Sequence, residues 1–148
     1  MEKYDHINIS RHHYDDARNA KIFRSGNVSL EAGIAALPER IKQRIRFNTT
    51  MIQGEIDSVE EVLRFITFGN RLGIYQFMFA ELTTLSEDGF YDKALIEYTK
   101  ANQFDASSIW EYFRIFGTPI NTVRGIGYRG NVVKLGKSTI VTRSNKKM

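Results

Sequence analysis

Residues 105–131 read DASSIWEYFRIFGTPINTVRGIGYRGN, and this stretch predicts a short helix followed directly by a β-hairpin. Asp105 is a suitable N-cap, because its carboxylate can accept hydrogen bonds from the free N–H groups of a first helical turn. Gly117 and Pro119 end the helix, and glycines at 125 and 127 allow a tight reversal between two strands. One face of the helix is apolar, and we expect it to be buried; its residues are Ile109, Tyr112, Phe113 and Phe116.

The decapeptide INTVRGIGYR at 120–129 resembles the closing signature of the OmpR/PhoB-type winged-helix DNA-binding domain, whose pattern is roughly I-x-T-V-R-G-x-G-Y. The resemblance covers about residues 72–131. It implies a recognition helix in the major groove and a hairpin, the wing, near the minor groove. Arg124 matches the family's wing arginine, which the resemblance implies reaches the minor groove or its phosphates. A receiver domain needs about 120 residues, so we expect none before the matched region.

The middle of the chain predicts further helices. Ser58 and Glu61 fit a capping box in front of a helix over 59–69, although VLRFITF at 62–68 is an alternative strand. Residues 91–98 predict another helix. Residues 70–85 predict the strongest helix, because one helical face collects Tyr75, Met78, Phe79, Leu82 and Leu85.

Three helices followed by a hairpin define the predicted fold class. It is α+β and mainly helical: a winged helix-turn-helix with three helices plus a C-terminal β-hairpin, and an N-terminal helical extension. The predicted domains are an arm and helical extension (1–57), a winged-helix domain (58–135) and a basic tail (136–148). Residues 132–141 predict a second hairpin or an extra strand.

The first part of the chain is polar. Residues 1–26 predict an arm, with a short strand at Ile7 and Ile9 or a helix over 14–23 as alternatives. Histidines near aspartates allow a metal site as a second interpretation of the arm, but their spacing is not that of a closed site, and we expect no metal and no cofactor. These residues are Asp5, His6, His12, His13, Asp15 and Asp16.

Residues 29–48 predict helix, interrupted or restarted at Pro38. The part PERIKQRIRF at 38–47 predicts a basic amphipathic helix, either an ordinary surface helix or one that lies on phosphates. Residues 47–57 predict an extended segment.

Composition limits the class of protein. A chain of 148 residues with ten phenylalanines suits one domain with a real core. The absence of cysteine excludes disulfides and thiolate metal sites. No apolar run approaches the roughly 18–20 residues of a membrane span, and no signal-peptide core is present. We therefore expect a cytoplasmic protein without a membrane partner.

The net charge of +4 is placed unevenly. No acidic residue follows Glu111, so the C-terminal quarter predicts a basic surface of the kind that meets a phosphate backbone. A solvated tail that aids solubility is the alternative for Lys146 and Lys147. The basic residues of this quarter are Arg114, Arg124, Arg129, Lys134, Lys137, Arg143, Lys146 and Lys147.

These patterns predict a small DNA-binding transcriptional regulator or accessory protein, bacterial or phage, with double-stranded DNA as partner. The hydroxyls of Ser107 and Ser108, in the first turn of the predicted helix, can bind phosphate. Arg114 can bind a phosphate or a guanine edge. Trp110 either contacts DNA or closes the core. The predicted DNA-binding residues are Ser107, Ser108, Trp110, Glu111, Arg114, Thr122, Arg124, Arg129 and Lys134.

The alternative is a protein-interaction module that docks onto RNA polymerase, onto another regulator or onto itself as a homodimer. An enzyme is not expected, because the sequence has no cysteine nucleophile, no glycine-rich phosphate loop and no histidine beyond the N-terminal arm.

Overall fold

The computed structural model describes residues 6–26, 29–86, 88–89, 92–120 and 132–145. In these residues six strands form one sheet, flanked by six helices. The strands are β1 (Ile7–Ser10), β2 (Ile45–Met51), β3 (Gln76–Glu81), β4 (Thr118–Pro119), β5 (Val132–Leu135) and β6 (Ser138–Arg143). The helices are α1 (Asp16–Phe23), α2 (Leu30–Ala35), α3 (Glu39–Lys42), α4 (Val59–Arg71), α5 (Lys93–Ala101) and α6 (Ser107–Phe116).

The order of strands across the sheet is β1-β2-β3-β6-β5-β4. The first four are parallel, whereas β5 is antiparallel to β6 and β4 is antiparallel to β5. Each parallel connection moves one strand further in the same direction. Since such crossovers are right-handed, their helices collect on one face of the sheet.

The core lies between that face and the helices. Strand β2 alternates strictly, with Ile45, Phe47, Thr49 and Met51 buried. Helix α4 inserts Phe65, whose ring centroid lies 5.8 Å from those of Phe47 and Phe79, both edge-on. Other core residues come from α2, α6, β5 and β6, namely Ile34, Ile109, Phe113, Val133 and Ile140.

One glycine sets how closely α4 approaches the sheet. A β-carbon at Gly69 would lie 2.5 Å from the ring of Phe77 in β3, closer than real contacts allow. Glycine at this position therefore lets the helix backbone pack directly against a buried aromatic ring.

The predicted fold class is wrong, because the chain forms a six-stranded mixed sheet rather than a mainly helical winged helix. The error begins at residues 70–85, where the predicted strongest helix is the end of α4 followed by β3. Gly73, with a φ of 83°, ends the helical segment. Beyond it Phe77 and Phe79 alternate into the core, and β3 pairs with strands on both sides. The apolar residues of this segment fit the helical period of about 3.6 residues as well as the strand period of 2. Pairing with the neighbouring strands selects the strand.

Other predicted segments also change. Residues 29–48 contain two short helices, after which β2 begins at Ile45. The capped helix after Ser58 is confirmed, since the Ser58 hydroxyl accepts a hydrogen bond from the Glu61 N–H at 3.2 Å. Helices α5 and α6 lie close to their predicted positions but flank a sheet. The predicted wing falls mostly on residues 121–131, outside the described residues, and the antiparallel hairpin that is described joins β5 to β6.

The sheet includes strands from all three predicted segments, and the division into domains stays a prediction. None of the described helices is long and apolar enough to cross a membrane.

Candidate ligand-binding face

The strands present a second set of side chains on the face opposite to the core helices, which we call the open face. Parallel sheets are ordinarily covered on both faces. Here every open-face residue is partly or fully exposed. The face carries three cations, and its described strand residues include no carboxylate. It consists of Asn8, Ser10, Arg46, Asn48, Thr50, Gln76, Met78, Ala80, Val132, Lys134, Thr139, Val141 and Arg143.

Arg46 is the anchored cation of the open face. Its Nε donates to Oδ1 of Asn8 at 3.0 Å and to Oδ1 of Asn48 at 3.1 Å. Asn8 is its neighbour on β1, and Asn48 is the next open-face residue on β2. In the described part of the chain nothing accepts from the terminal nitrogens of Arg46. Since a planar guanidinium binds carboxylate or phosphate with two parallel hydrogen bonds, the side chain is oriented for an anion.

The register aligns the open-face residues in rows. One row crosses the four parallel strands through Asn8, Arg46, Gln76 and Thr139. Neighbouring strands are about 4.8 Å apart, so this row spans roughly 14 Å. The Gln76 amide donates to the Gln43 carbonyl at 2.7 Å, which fixes its position at the start of the strand. The face is therefore long enough for a ligand of nucleotide size.

The carboxyl ends of the parallel strands meet at a cavity, the usual place for ligands in such sheets. It has a volume of about 460 Å³ and is lined by Met51, Thr83, Gln103 and Asn145, among others. At its wall Glu81 accepts from Trp110 Nε1 at 2.9 Å, from the Asn145 N–H at 2.7 Å and from the Ser144 hydroxyl at 3.2 Å. With its oxygens engaged by three donors, Glu81 joins α6 to the ends of two strands rather than offering a free carboxylate.

The turn between β1 and α1 holds two oriented histidines at the same edge. His12 Nδ1 accepts from the Thr50 N–H at 3.0 Å, and its ring stacks on Phe23 with centroids 4.7 Å apart. His13 is 1% exposed, and its Nδ1 accepts from the Asp15 N–H at 2.9 Å. Both neutral rings therefore carry their proton on Nε2.

The environment of each ring disfavours its charged form. Burial lowers the pKa of His12. Burial also lowers the pKa of His13, and the Arg18 guanidinium lowers it further, against an opposing effect of Glu55. His13 Nε2 lies 3.6 Å from the Glu55 carboxylate without a hydrogen bond.

From His6 onward the described residues form β1, a turn in which Arg11 and His13 are buried, and α1. The two alternatives to an arm, a short strand and a helix, are thus both found. The isoleucines at 7 and 9 were the signal for the strand. No group of three or more metal-ligand side chains occurs in the described ranges.

The predicted DNA-binding residues that fall within the described ranges lie on two sides of the sheet. The amide and hydroxyl of Ser107 donate to Asp105 at 3.0 and 2.6 Å, and Trp110 binds Glu81. Arg114 donates to Glu111 at 2.8 Å, which lowers the pKa of Glu111. These residues and the exposed Ser108 belong to α6, on the core side.

Lys134 is the predicted residue that lies on the open face, opposite to α6. Its Nζ donates to the Lys137 carbonyl at 3.4 Å. Thr122, Arg124 and Arg129 fall outside the described residues. The described structure therefore does not bring the predicted set together on one surface.

The sequence did not predict the position of Arg46 on the open face, because this residue was placed on a basic helix. The available signal was the alternation of apolar and polar residues in IRFNTTM at 45–51. Comparisons with known proteins found no matching family model, no matching curated protein and no matching solved structure.

Proposed function

We propose that this protein binds a small anionic molecule on its open face, with a phosphate or carboxylate group of the ligand held by Arg46. The single observation that carries the proposal is the geometry of Arg46. Its Nε is engaged by Asn8 and Asn48, on a face whose described strand residues include no acid.

The charges around Arg46 favour this ligand class. Lys134 and Arg143 lie on the same face, so their potential adds to that of Arg46 and attracts anions. The two asparagines restrict the side chain before the ligand arrives, which lowers the entropy cost of binding. Apolar open-face residues in the adjoining rows, Met78, Ala80 and Val141, can contact the body of the ligand.

Inorganic phosphate is the simplest probe of this proposal. At matched ionic strength, replacing chloride with phosphate should raise the thermal unfolding midpoint in a concentration-dependent way, since a ligand that binds only the folded state stabilises it. Arg46→Gln should remove most of this increase. Arg64→Gln is the matched control, because Arg64 lies on α4 and pairs with Glu60 at 2.6 Å, away from the open face. An equal response of parent and Arg46→Gln protein would refute the proposal.

DNA binding is the second candidate, and one observation favours it. Lys134 and Arg143 both come from the basic C-terminal quarter, and both lie on the same face as Arg46. We propose that, if the ligand is duplex DNA, the open face rather than α6 contacts its phosphates. Mobility shifts at several salt concentrations should then weaken in an Arg46→Gln, Arg143→Gln double variant and persist in Arg114→Ala. The opposite pattern would exclude the open face.

The finer expectations stay predictions. These are cytoplasmic location, RNA polymerase or another regulator as a partner, and a homodimer. A pull-down run beside the DNA assay tests the protein partners, and sedimentation analysis tests the homodimer.

A further inference from the structure

A second cavity lies between α1 and α5, next to the loop that follows β2. Its volume is about 760 Å³, within the range of small-molecule sites. Its apolar side is formed by Ile22, Ile52, Leu95 and Tyr98. Leu95 and Tyr98 are 46% and 39% exposed, although Leu95 is a large apolar residue. Leu95 and Tyr98 of α5 therefore present apolar surface to this cavity, whereas Ile96 of the same helix is buried.

The other side of the cavity is cationic. Lys21 and Arg24 line it, and neither forms an ion pair with a described residue. The nearby Glu55 carboxylate is compensated by Arg18, whose Nε lies 2.9 Å from it. The Asp92 carboxylate is turned to the first turn of α5, where it accepts from the Ala94 N–H at 3.0 Å. Among the lining charges without an ion pair, the two cations Lys21 and Arg24 outnumber the one anion Asp92, so the net charge is positive.

Arg24 occupies a backbone position that an arginine disfavours. It ends α1 with a φ of 52°, and it is the one non-glycine residue with positive φ in the described part of the chain. The Ser25 N–H donates to the Ala20 carbonyl at 3.0 Å, which closes the helix in the way that usually places glycine here. At this backbone conformation an arginine is less stable than a glycine would be. Its side chain lines the cavity.

We propose that the cavity between α1 and α5 binds an amphipathic anion, a molecule with an apolar body and one phosphate or carboxylate group. Lys21 and Arg24 pair with the anionic group, and Leu95 and Tyr98 pack against the body. This site is separate from the open face and does not depend on Arg46.

The test uses 1-naphthyl phosphate as probe, with 1-naphthol and inorganic phosphate as its two halves, measured by isothermal titration calorimetry. Parent protein should bind the whole probe more tightly than either half. Arg24→Gly should weaken binding at least about fivefold, while the unfolding midpoint stays equal or rises, because glycine suits the backbone. Leu95→Ser should also weaken binding.

Two controls separate this proposal from others. Lys93→Ala changes an exposed cation of α5 that pairs with Glu97 at 3.9 Å, and it should leave binding unchanged. Because the phosphate group of the probe can also bind at Arg46, the titrations are repeated in Arg46→Gln. There the whole probe should still bind more tightly than either half and Arg24→Gly should still weaken binding, so a failure of the open-face proposal would not affect this one. If Lys21 and Arg24 only compensate the helix dipole, Arg24→Gly lowers stability and leaves binding unchanged. That result, or equal binding of 1-naphthol and 1-naphthyl phosphate, would overturn the proposal.

Discussion

His13 places an imidazole ring in the interior with one nitrogen already committed as an acceptor. Protonation at Nδ1 would remove the hydrogen bond from the Asp15 N–H and leave a charged ring that is 1% exposed. Burial therefore lowers the pKa of His13 below its ordinary value of 6.5, and Arg18 lowers it further. The unfolded chain binds a proton at His13 more readily than the folded protein does. The free energy of unfolding is therefore undiminished by this group above about pH 6.5, and it falls as the pH drops towards the folded-state pKa.

We predict that the thermal unfolding midpoint falls between pH 7 and pH 5 by more in the parent than in His13→Asn. The asparagine Oδ1 can accept from the Asp15 N–H but does not titrate. Calorimetry of both proteins across this range checks the prediction. His12 contributes in the same direction, since its pKa is also lowered, so the variant should keep a smaller slope. An identical fall in both proteins would assign the effect to other groups.

At the scale of elements, Glu81 joins α6 to the ends of β3 and β6. Its carboxylate accepts from Trp110 on the helix and from Ser144 and Asn145 after the last strand. Glu81→Gln keeps the shape but places an amide N–H₂ where one of these donors needs an acceptor. We expect the free energy of unfolding to fall by about 1–3 kcal/mol, measured by urea denaturation.

The control for this prediction is Glu111→Gln, on the exposed side of α6. Glu111 pairs with Arg114 in solvent, where such pairs contribute little. Its replacement should leave the unfolding midpoint unchanged. A loss in Glu111→Gln as large as that in Glu81→Gln would mean that helix charge, rather than the link to the strands, controls stability.

Elements whose signals are local could be predicted from sequence. The capped start of α4 at Ser58 and the positions of α5 and α6 depend on residues within a few positions of one another. The buried face of α6 was predicted in part, since Ile109 and Phe113 are buried but Phe116 is 61% exposed.

β3 could not be predicted, because the run Phe77-Met78-Phe79 is continuously apolar, so it fits a helix as well as a strand, and its strand partners are distant in the chain. The open face was missed for the same reason: Arg46 and Asn8 are adjacent only after β1 and β2 pair.

At the scale of the whole molecule, the strand order sets which amides are protected. β2 and β3 are hydrogen-bonded on both sides, whereas β1 is paired in the described sheet with β2 alone. We predict that hydrogen–deuterium exchange at pH 7 is slowest in β2 and β3 and much faster in β1. Exchange in β1 as slow as in β3 would show that its outer edge is protected in solution.

The central position of β3 also determines the sequence of events in folding. Gln76 pairs with Thr139, so the second neighbour of β3 is β6, which leaves the ribosome only after β3, α5 and α6. Until then Phe77 and Phe79 belong to a strand with one unpaired side. Every parallel pairing closes a long loop, which slows folding compared with hairpin-rich proteins. The nascent chain thus carries an aromatic strand with an unpaired edge from the emergence of β3 until β6 has emerged, and pairing with β6 is the step that protects it.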